Sequence, residues 1–325
     1  MTNEILLEVK DLQKHFYTKR DGKKRVVHAV DNITFNLHKG ETFGLVGESG
    51  CGKSTTGRSI IRLLEPTAGE VHFKGDDILS YDKQQMRALR QQMQIIFQDP
   101  YSSLNPRMNV SELVGEALIA QKLFPRRNAD WHARVREITE MCGIQNFQLN
   151  RYPHQFSGGQ RQRICIARAL ALNPEFVVCD EPVSALDVSI QSAIINLLMD
   201  LQSQMGLSYL FISHDLSVVK HISNRIGVMY LGNMVEMADR NDLFTNPIHP
   251  YTEALLDSVP IPDPEVKREL RVVEGDIPSN VKPPSGCRFR TRCRYAKDIC
   301  AEEVPEFKDY GNGHRAACHF PLCKG

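Results

Sequence analysis

The stretch from Gly47 to Ser54 has the residue types and spacing of a loop that binds nucleotide phosphates. It satisfies the pattern G-x-x-x-x-G-K-[ST], between a short apolar stretch at 42–46 and a predicted helix that begins at Lys53. Glycines let backbone N–H groups converge on phosphate oxygens, and the start of a helix adds the positive end of its dipole. Lys53 would supply a charge to the β- and γ-phosphates, and the Ser54 hydroxyl a ligand to Mg²⁺. The residues expected to contact the nucleotide here are Gly47, Ser49, Gly50, Cys51, Gly52, Lys53, Ser54 and Thr55.

Two carboxylates follow a second apolar segment. Residues 176–179 are uniformly apolar, as in a strand buried on both faces of a parallel sheet, and Asp180 and Glu181 come directly after them. An isolated Asp-Glu pair before a proline is usually only the end of a strand. Beside a phosphate-binding loop, Asp180 is instead predicted to be a Mg²⁺ carboxylate and Glu181 to accept a proton from attacking water.

The cysteines are concentrated near the C-terminus. Five of the nine fall in the last 39 residues, and Cys287, Cys293, Cys300 and Cys318 form a group of four, with Cys323 left over. Four thiolates suit zinc or an iron–sulfur cluster, although the spacing is not the C-x2-C pair that is usual for zinc ribbons. Plain reduced cysteines are the third possibility.

Cys51 stands apart from that group, inside the phosphate-binding loop. Thiol pKa values tend to fall at a helix start, and a thiol with a lowered pKa would make nucleotide binding sensitive to oxidation. The simpler interpretation, which we prefer, is that the position requires only a small residue.

Composition limits the classes of protein to consider. The chain has 325 residues, enough for about two domains, and 40 Lys and Arg against 39 Asp and Glu give a formal charge of +1. This balance does not indicate a chain that binds nucleic acid as a whole, and the basic residues at 19–25 are predicted to surround a hairpin tip at Asp21-Gly22. No apolar run approaches the ~20 residues of a membrane span, and the N-terminus lacks the pattern of a signal peptide. We therefore expect a cytosolic chain that can dock on a membrane protein.

The order of the predicted elements indicates an α/β fold. Strands are expected at 5–9, 26–37, 42–46, 176–179 and 207–212, and helix at about 110–142. Prolines at 260, 262, 264, 278, 283 and 284 mark a linker that leads into the cysteine-rich tail.

Over residues 5–236 the sequence resembles the ATP-binding cassette family, specifically the ATPase subunits of transporters. The segment Phe156-Ser157-Gly158-Gly159-Gln160 is similar to the family signature, with Phe where Leu is commoner. Ser157 is suited to cap the following helix, whose open end then suits an anion. The resemblance implies that Ser157, Gly158, Gly159 and Gln160 contact the ATP held by an opposite subunit, so that two subunits enclose two nucleotides.

Other matches to the family occur in the expected order. Gln98 resembles the glutamine that approaches Mg²⁺ and the attacking water, and His214 resembles the switch histidine at the γ-phosphate. The segment from Ser184 to Asp187 resembles the loop that communicates across the dimer, and Phe16 resembles the aromatic that stacks on adenine, although a core aromatic is about equally compatible with that position.

The implied fold is a P-loop NTPase cassette with a RecA-like core sheet, an antiparallel β subdomain and a helical subdomain at about 100–165. The cassette would span 1–245 and a Cys-rich C-terminal extension 246–325.

A narrower resemblance lies beyond the cassette. The segment Asn246–Thr252, the proline linker and the segment Gly286–Phe289 are similar to the ATPases of oligopeptide and dipeptide importers, most of all to their second, F-type subunit. This implies ATP-driven import of peptides, with nickel and glutathione as alternative solutes. The implied partners are a second homologous ATPase, two transmembrane permease subunits and an extracytoplasmic peptide-binding protein, and the chain would lie at the cytoplasmic face of the cell membrane.

The same resemblance implies a [4Fe–4S] cluster on Cys287, Cys293, Cys300 and Cys318, with zinc as the alternative, and a structural role for it. A cassette protein acting on nucleic acid or the ribosome is the competing class. It is disfavoured because no long coiled coil fits between Ser54 and Ser157, and because the chain holds one cassette. An adaptor that does not hydrolyse ATP is disfavoured by Glu181 and His214.

Overall fold

The computed structural model describes residues 4–20, 23–125, 127–258 and 275–322. The predicted hairpin tip at Asp21-Gly22, the prolines at 260–264 and Cys323 lie outside these ranges. The strands are β1 (Ile5–Arg20), β2 (Lys23–His38), β3 (Thr42–Val46), β4 (Ala68–Phe73), β5 (Asp76–Asp77), β6 (Met93–Ile96), β7 (Phe176–Asp180), β8 (Ser208–Ile212), β9 (Arg225–Tyr230), β10 (Asn233–Asp239), β11 (Phe307–Asp309) and β12 (Arg315–Ala317).

The helices alternate with these strands through the middle of the chain. They are α1 (Lys53–Ile60), α2 (Lys83–Gln92), α3 (Pro100–Ser103), α4 (Val110–Ala120), α5 (Ala129–Met141), α6 (Gly158–Leu170), α7 (Val188–Met205), α8 (Leu216–Ile222), α9 (Arg240–Thr245), α10 (Pro250–Asp257) and α11 (Ile299–Glu302).

The chain divides into two compact units, the first made of Met1–Leu6, Leu37–Thr42 and Phe73–Ile212. Its sheet holds β6, β7 and β8 as parallel neighbours, with Ile95 opposite Val178 and Val178 opposite Leu210. Every residue of β7 and β8 is buried. This confirms the prediction from their uniformly apolar sequences, since a parallel strand is covered on both faces.

The helices of the first unit pack on one another through α4, α5 and α6. Trp131 is buried, and its indole N–H donates to the carbonyl of Gly115 at 2.9 Å. A Cβ on Gly115 would lie 2.0 Å from the indole ring, so a glycine is required at this crossing. The helix predicted over 110–142 is two helices, because a turn containing Pro125, which cannot continue a helix, separates α4 from α5.

The second unit is made of Leu7–Asn36, Phe43–His72 and Ser213–Gly325. In it β2, β1 and β4 lie side by side. Strand β3 pairs parallel to β9, which pairs antiparallel to β10. The C-terminal strands then extend this sheet, because β12 pairs antiparallel with β10 and β11 with β12.

A buried carboxylate joins the C-terminal part of this unit to β10. Glu236 is fully buried and accepts the backbone N–H groups of Ile248 at 2.7 Å and His249 at 2.9 Å. The ring nitrogen Nε2 of His314 lies 2.7 Å from the same carboxylate. These bonds supply the partners that a carboxylate needs once it is removed from water.

Among the described residues, no helix combines the length and apolar character that crossing a membrane requires.

Candidate functional site

At two positions of the phosphate-binding loop, the backbone conformation and the surrounding space are compatible only with glycine. Gly47 has a φ of 147° and Gly52 a φ of 110°. A Cβ on Gly47 would lie 2.2 Å from the carbonyl oxygen of Met229, and one on Gly52 would lie 2.1 Å from that of Ala29. The chain therefore approaches two neighbouring strands too closely for any side chain, which gives the loop its curvature.

The end of the loop is arranged to accept an anion. Gly52 caps α1 without a side-chain hydrogen bond, so the cap residue leaves the first N–H groups of the helix open to another acceptor. Lys53 is only 4% exposed, and its ammonium donates to the carbonyls of Gly47 at 2.7 Å and Glu48 at 3.1 Å. Ser54 and Thr55 are half-buried in the first turn of α1. This open, positively polarised helix end fits the phosphates of a nucleotide.

The Cys51 thiol is buried beneath the loop. Burial raises the pKa of this thiol, and the nearby Lys53 ammonium only partly opposes that effect. The lowered pKa that a helix start would give is therefore absent, which supports the interpretation of Cys51 as a small packing residue.

Three side chains from the C-terminal part of the same unit contact the loop. Arg292 donates from both terminal nitrogens to the carboxylate of Glu48, at 2.8 and 3.0 Å. The Tyr251 hydroxyl accepts the backbone N–H of Glu48 at 2.9 Å, and the Asn280 side-chain amide donates to the carbonyl of Gly50 at 3.2 Å. These contacts were not expected from the sequence. The segment around Tyr251 had been noted only for its resemblance, and an arginine among cysteines carries no local signal of such a contact.

In the first unit, the predicted base lies against the predicted glutamine. The amide Nε2 of Gln98 donates to the Glu181 carboxylate at 2.9 Å and lies 3.5 Å from the Ser184 hydroxyl. Glu181 has a φ of 48°, in the left-handed region that residues with a side chain seldom adopt, and its N–H donates to the carbonyl of Ile212 at 3.0 Å. Such a backbone at the end of a buried strand is typical of functional sites.

Asp180, one residue earlier, is fully buried as the last residue of β7. Asp187 caps α7 without a side-chain hydrogen bond and is exposed. The adjacent Val188 is 78% exposed, which is unusual for a branched apolar side chain.

The signature segment forms the start of α6 as predicted. Ser157 accepts the N–H of Gln160 at 3.4 Å, and the Gln160 side chain accepts the N–H of Ser157 at 3.1 Å, which completes a capping box. Gly158 is the first residue of the helix. Gly159 is buried, and a Cβ there would lie 2.5 Å from Ile190.

The two remaining candidates belong to the second unit. His214 is exposed in the turn that precedes α8. Phe16 is half-buried on β1, with the Lys14 ammonium 5.1 Å from its ring centroid.

The structure brings the four C-terminal cysteines together. Cys287, Cys293, Cys300 and Cys318 line one cavity with aromatic side chains that include Phe289. Within the described chain, no three of these thiols have sulfur atoms within 4.8 Å of one another. A tetrahedral zinc site with Zn–S bonds of about 2.3 Å requires sulfurs about 3.8 Å apart.

Burial governs the protonation of these thiols. It raises the pKa of Cys287 and Cys293, and it raises the pKa of Cys318 to about 12.

The environment of His249 predicts a dependence of stability on pH. This residue caps α10 and is 1% exposed, and burial lowers its pKa from 6.5 to about 4. Between pH 6.5 and about 4, the His249 imidazole is therefore protonated in the unfolded chain and neutral in the folded chain. The free energy of unfolding should fall by roughly 3 kcal/mol on this account as the pH drops from about 7 to 4.

Urea unfolding at several pH values checks this expectation. His249→Asn keeps a capping acceptor but removes the titrating ring, so the dependence on pH should weaken by that amount. The control is His221→Asn, which replaces an exposed histidine of α8. An identical pH dependence in His249→Asn and the wild type would contradict the prediction.

Comparison with known proteins places the chain in a family. The family model for "ABC transporter" matches residues 30–184, and the model for "Oligopeptide/dipeptide transporter, C-terminal region" matches residues 235–300. The putative oligopeptide transport ATP-binding protein YkfD of Bacillus subtilis is 54% identical over 97% of this chain and 95% of its own length. The oligopeptide transport ATP-binding protein OppF of Salmonella typhimurium is 50% identical over 93% of this chain and 92% of its own.

Solved structures agree with this placement. A dimeric ATP-binding cassette bound to ADP and phosphate in a post-hydrolysis state matches with a TM-score of 0.64 and 28% identity, over 72% of this chain and 98% of that one. The cbiO1 subunit of an ABC transporter complex from Clostridium perfringens matches with a TM-score of 0.65 and 27% identity, over 75% and 92% of the two chains. The expected P-loop NTPase cassette fold is thereby confirmed. On these matches the chain belongs to the ATP-binding cassette transporter family, in the group of oligopeptide transport ATP-binding proteins.

Proposed function

We propose that this chain is the ATP-hydrolysing subunit that powers import of oligopeptides or dipeptides through a membrane transporter. The observation that carries the proposal is the joint presence of the cassette and the oligopeptide/dipeptide transporter C-terminal region in one chain. The relatives at about 50% identity match over nearly the whole chain, so the likeness is not confined to the cassette.

We assign the phosphate-binding role to the loop that precedes α1 and to the first turn of that helix. Its N–H groups and the Lys53 ammonium would neutralise the phosphates of ATP, and Phe16 would contact the base. Ser54, Gln98 and Asp180 are the proposed ligands of Mg²⁺, which supplies further positive charge when bound. The residues proposed to contact ATP in this way are Gly47, Ser49, Gly50, Cys51, Gly52, Lys53, Ser54 and Thr55.

Glu181 is proposed as the general base. Its carboxylate accepts a hydrogen bond from the Gln98 amide at 2.9 Å, which would orient it to accept a proton from water. His214 is proposed to contact the γ-phosphate. Glu181 and His214 can assist the reaction only if the attacking water is in line with the γ-phosphate. We therefore propose that Gln98 orients that water.

The open helix start at α6 is proposed to serve the nucleotide of a partner ATPase. The capping box leaves Ser157, Gly158, Gly159 and Gln160 at a helix N-terminus that suits an anion. Asp187 would lie at the same contact between subunits, which the exposed Val188 beside it supports. A solved relative of the cassette is a dimer.

The proposed assembly contains four further components besides this chain. They are a second homologous ATPase, two transmembrane permease subunits and an extracytoplasmic peptide-binding protein. We propose that this chain is bound to the permeases at the cytoplasmic face of the membrane, where ATP is available.

Glu181→Gln tests the proposed chemistry. The amide is nearly isosteric but cannot accept the proton, so ATP hydrolysis should fall about 100-fold or more while the Kd for ATP stays close to that of the wild type. In vesicles that contain the complete transporter, uptake of a tripeptide should stop together with hydrolysis.

The matched control is Glu175→Gln, which removes a carboxylate that pairs with Lys74 one residue before the same strand begins. This variant should retain hydrolysis and uptake. Normal ATP turnover in Glu181→Gln would overturn the assignment of the base.

We further propose that Cys287, Cys293, Cys300 and Cys318 hold a [4Fe–4S] cluster, with zinc as the alternative. Their shared cavity supports a metal site of four thiolates. No three of these sulfurs in the described chain lie within 4.8 Å of one another, and a cluster, which places iron and sulfide between its ligands, requires less closely spaced thiolates than a single zinc ion does. Its role would be structural, fixing a segment with few core residues of its own.

Anaerobic purification of the full chain tests this assignment. We expect a brown protein with about four iron atoms per chain. Cys293→Ser should lose most of the iron, whereas Cys323→Ser should retain it. Stoichiometric zinc, or a colourless protein without iron, would contradict the proposal.

A further inference from the structure

We propose that Arg292 is a positioning residue for ATP binding, which neutralises the carboxylate of Glu48 and holds it within the phosphate-binding loop. The proposal rests on the proposed function, because it concerns the affinity of the same loop for ATP. It assigns to the C-terminal region a direct part in the nucleotide site.

The negative charge of Glu48 opposes the binding of phosphates by this loop. It is the one acidic residue between Gly47 and Ser54, in a loop whose task is to attract a highly charged anion. Its side chain is 22% exposed, so water screens its charge only in part. An unpaired carboxylate at this position would repel the phosphates of ATP.

Arg292 neutralises the Glu48 carboxylate by forming a bidentate ion pair with it. Its Nη1 and Nη2 atoms donate to separate oxygens of the Glu48 carboxylate, at 2.8 and 3.0 Å. The Arg292 side chain is only 7% exposed, and a guanidinium stays protonated in such a setting. Two parallel bonds also fix the direction of the carboxylate, which a single contact would not do.

The backbone around Glu48 is fixed from the same side. The hydroxyl of Tyr251 accepts the Glu48 N–H, and the Tyr251 ring is buried 4.7 Å from Tyr230 and 5.3 Å from Phe289, measured between ring centroids. The Arg292 Nη1 atom lies 3.4 Å from the Tyr230 hydroxyl. A rigid aromatic group therefore supports both the carboxylate and its partner.

Arg292 is itself held by the segment between Cys287 and Cys300. Its backbone N–H donates to the carbonyl of Phe289 at 2.9 Å, in a turn whose Phe289 ring is 2% exposed. Arg288, from the same turn, pairs with Asp31 and with the carbonyl of Leu231. Two arginines thus join the cysteine-bearing segment to other parts of the second unit, and one of them reaches the phosphate-binding loop.

ATP binding to the full chain in the presence of Mg²⁺ tests the proposal, with a fluorescent ATP analogue as the probe. Arg292→Ala should raise the Kd about tenfold, because the Glu48 charge is left unpaired near the phosphates. The double variant Glu48→Gln/Arg292→Ala should return the Kd to within about twofold of the wild type, since it removes both charges.

Recovery of ATP affinity in the double variant distinguishes a role of Arg292 in neutralising Glu48 from a role in holding the C-terminal segment. If the ion pair only held the C-terminal segment in place, removing both partners would be no better than removing Arg292 alone. Arg294→Ala is the matched control, because Arg294 pairs with Glu253 at 2.7 Å in the same segment but does not contact the loop. Its Kd should not change, and thermal unfolding of each variant reports on folding.

Wild-type affinity in Arg292→Ala would overturn the proposal, and so would a double variant that binds as weakly as Arg292→Ala. A wild-type chain that fails to bind ATP would instead contradict the proposed function itself.

Discussion

The concentrated negative charge of a nucleotide's phosphates is the constraint on which this structure depends. Backbone N–H groups must converge on it, and they can do so only where the chain turns in ways closed to residues with a side chain. Gly47 and Gly52 meet this requirement against the carbonyls of Met229 and Ala29. Strands β9 and β2 therefore fix the path of the loop, and Lys53 supplies a positive charge at its end.

The same constraint explains why the C-terminal region is more than an attached tail. A carboxylate inside the loop has to be neutralised, and the second unit places Arg292 against Glu48 for this purpose. Tyr251 and Asn280 hold the loop backbone from the same region. Arg292 lies between two of the clustered cysteines in the sequence. Binding of a metal by those thiols would therefore also restrict the position of the Arg292 guanidinium. A metal site with a structural role would then affect ATP affinity without contacting ATP.

Local patterns predicted much of the fold and the separate parts of the site. The buried strands β7 and β8 were visible as short apolar runs, and the capping role of Ser157 followed from its place before a helix. The pairing of Arg292 with Glu48 was not predictable, because 244 positions separate them and an arginine among cysteines carries no periodic signal. The division of the 110–142 helix was missed, although Pro125 marked it. The Arg292–Glu48 pair and the turn between α4 and α5 depend on tertiary structure, which local propensities do not predict.

ATP hydrolysis by this chain should be coupled to import of peptides. It can be measured for the complete transporter in lipid vesicles, with the binding protein loaded in turn with a tripeptide, nickel or glutathione. We expect the peptide-loaded binding protein to stimulate hydrolysis and the other two forms to stimulate it little. Stimulation by nickel or glutathione but not by peptide would show that the coupled solute is not a peptide.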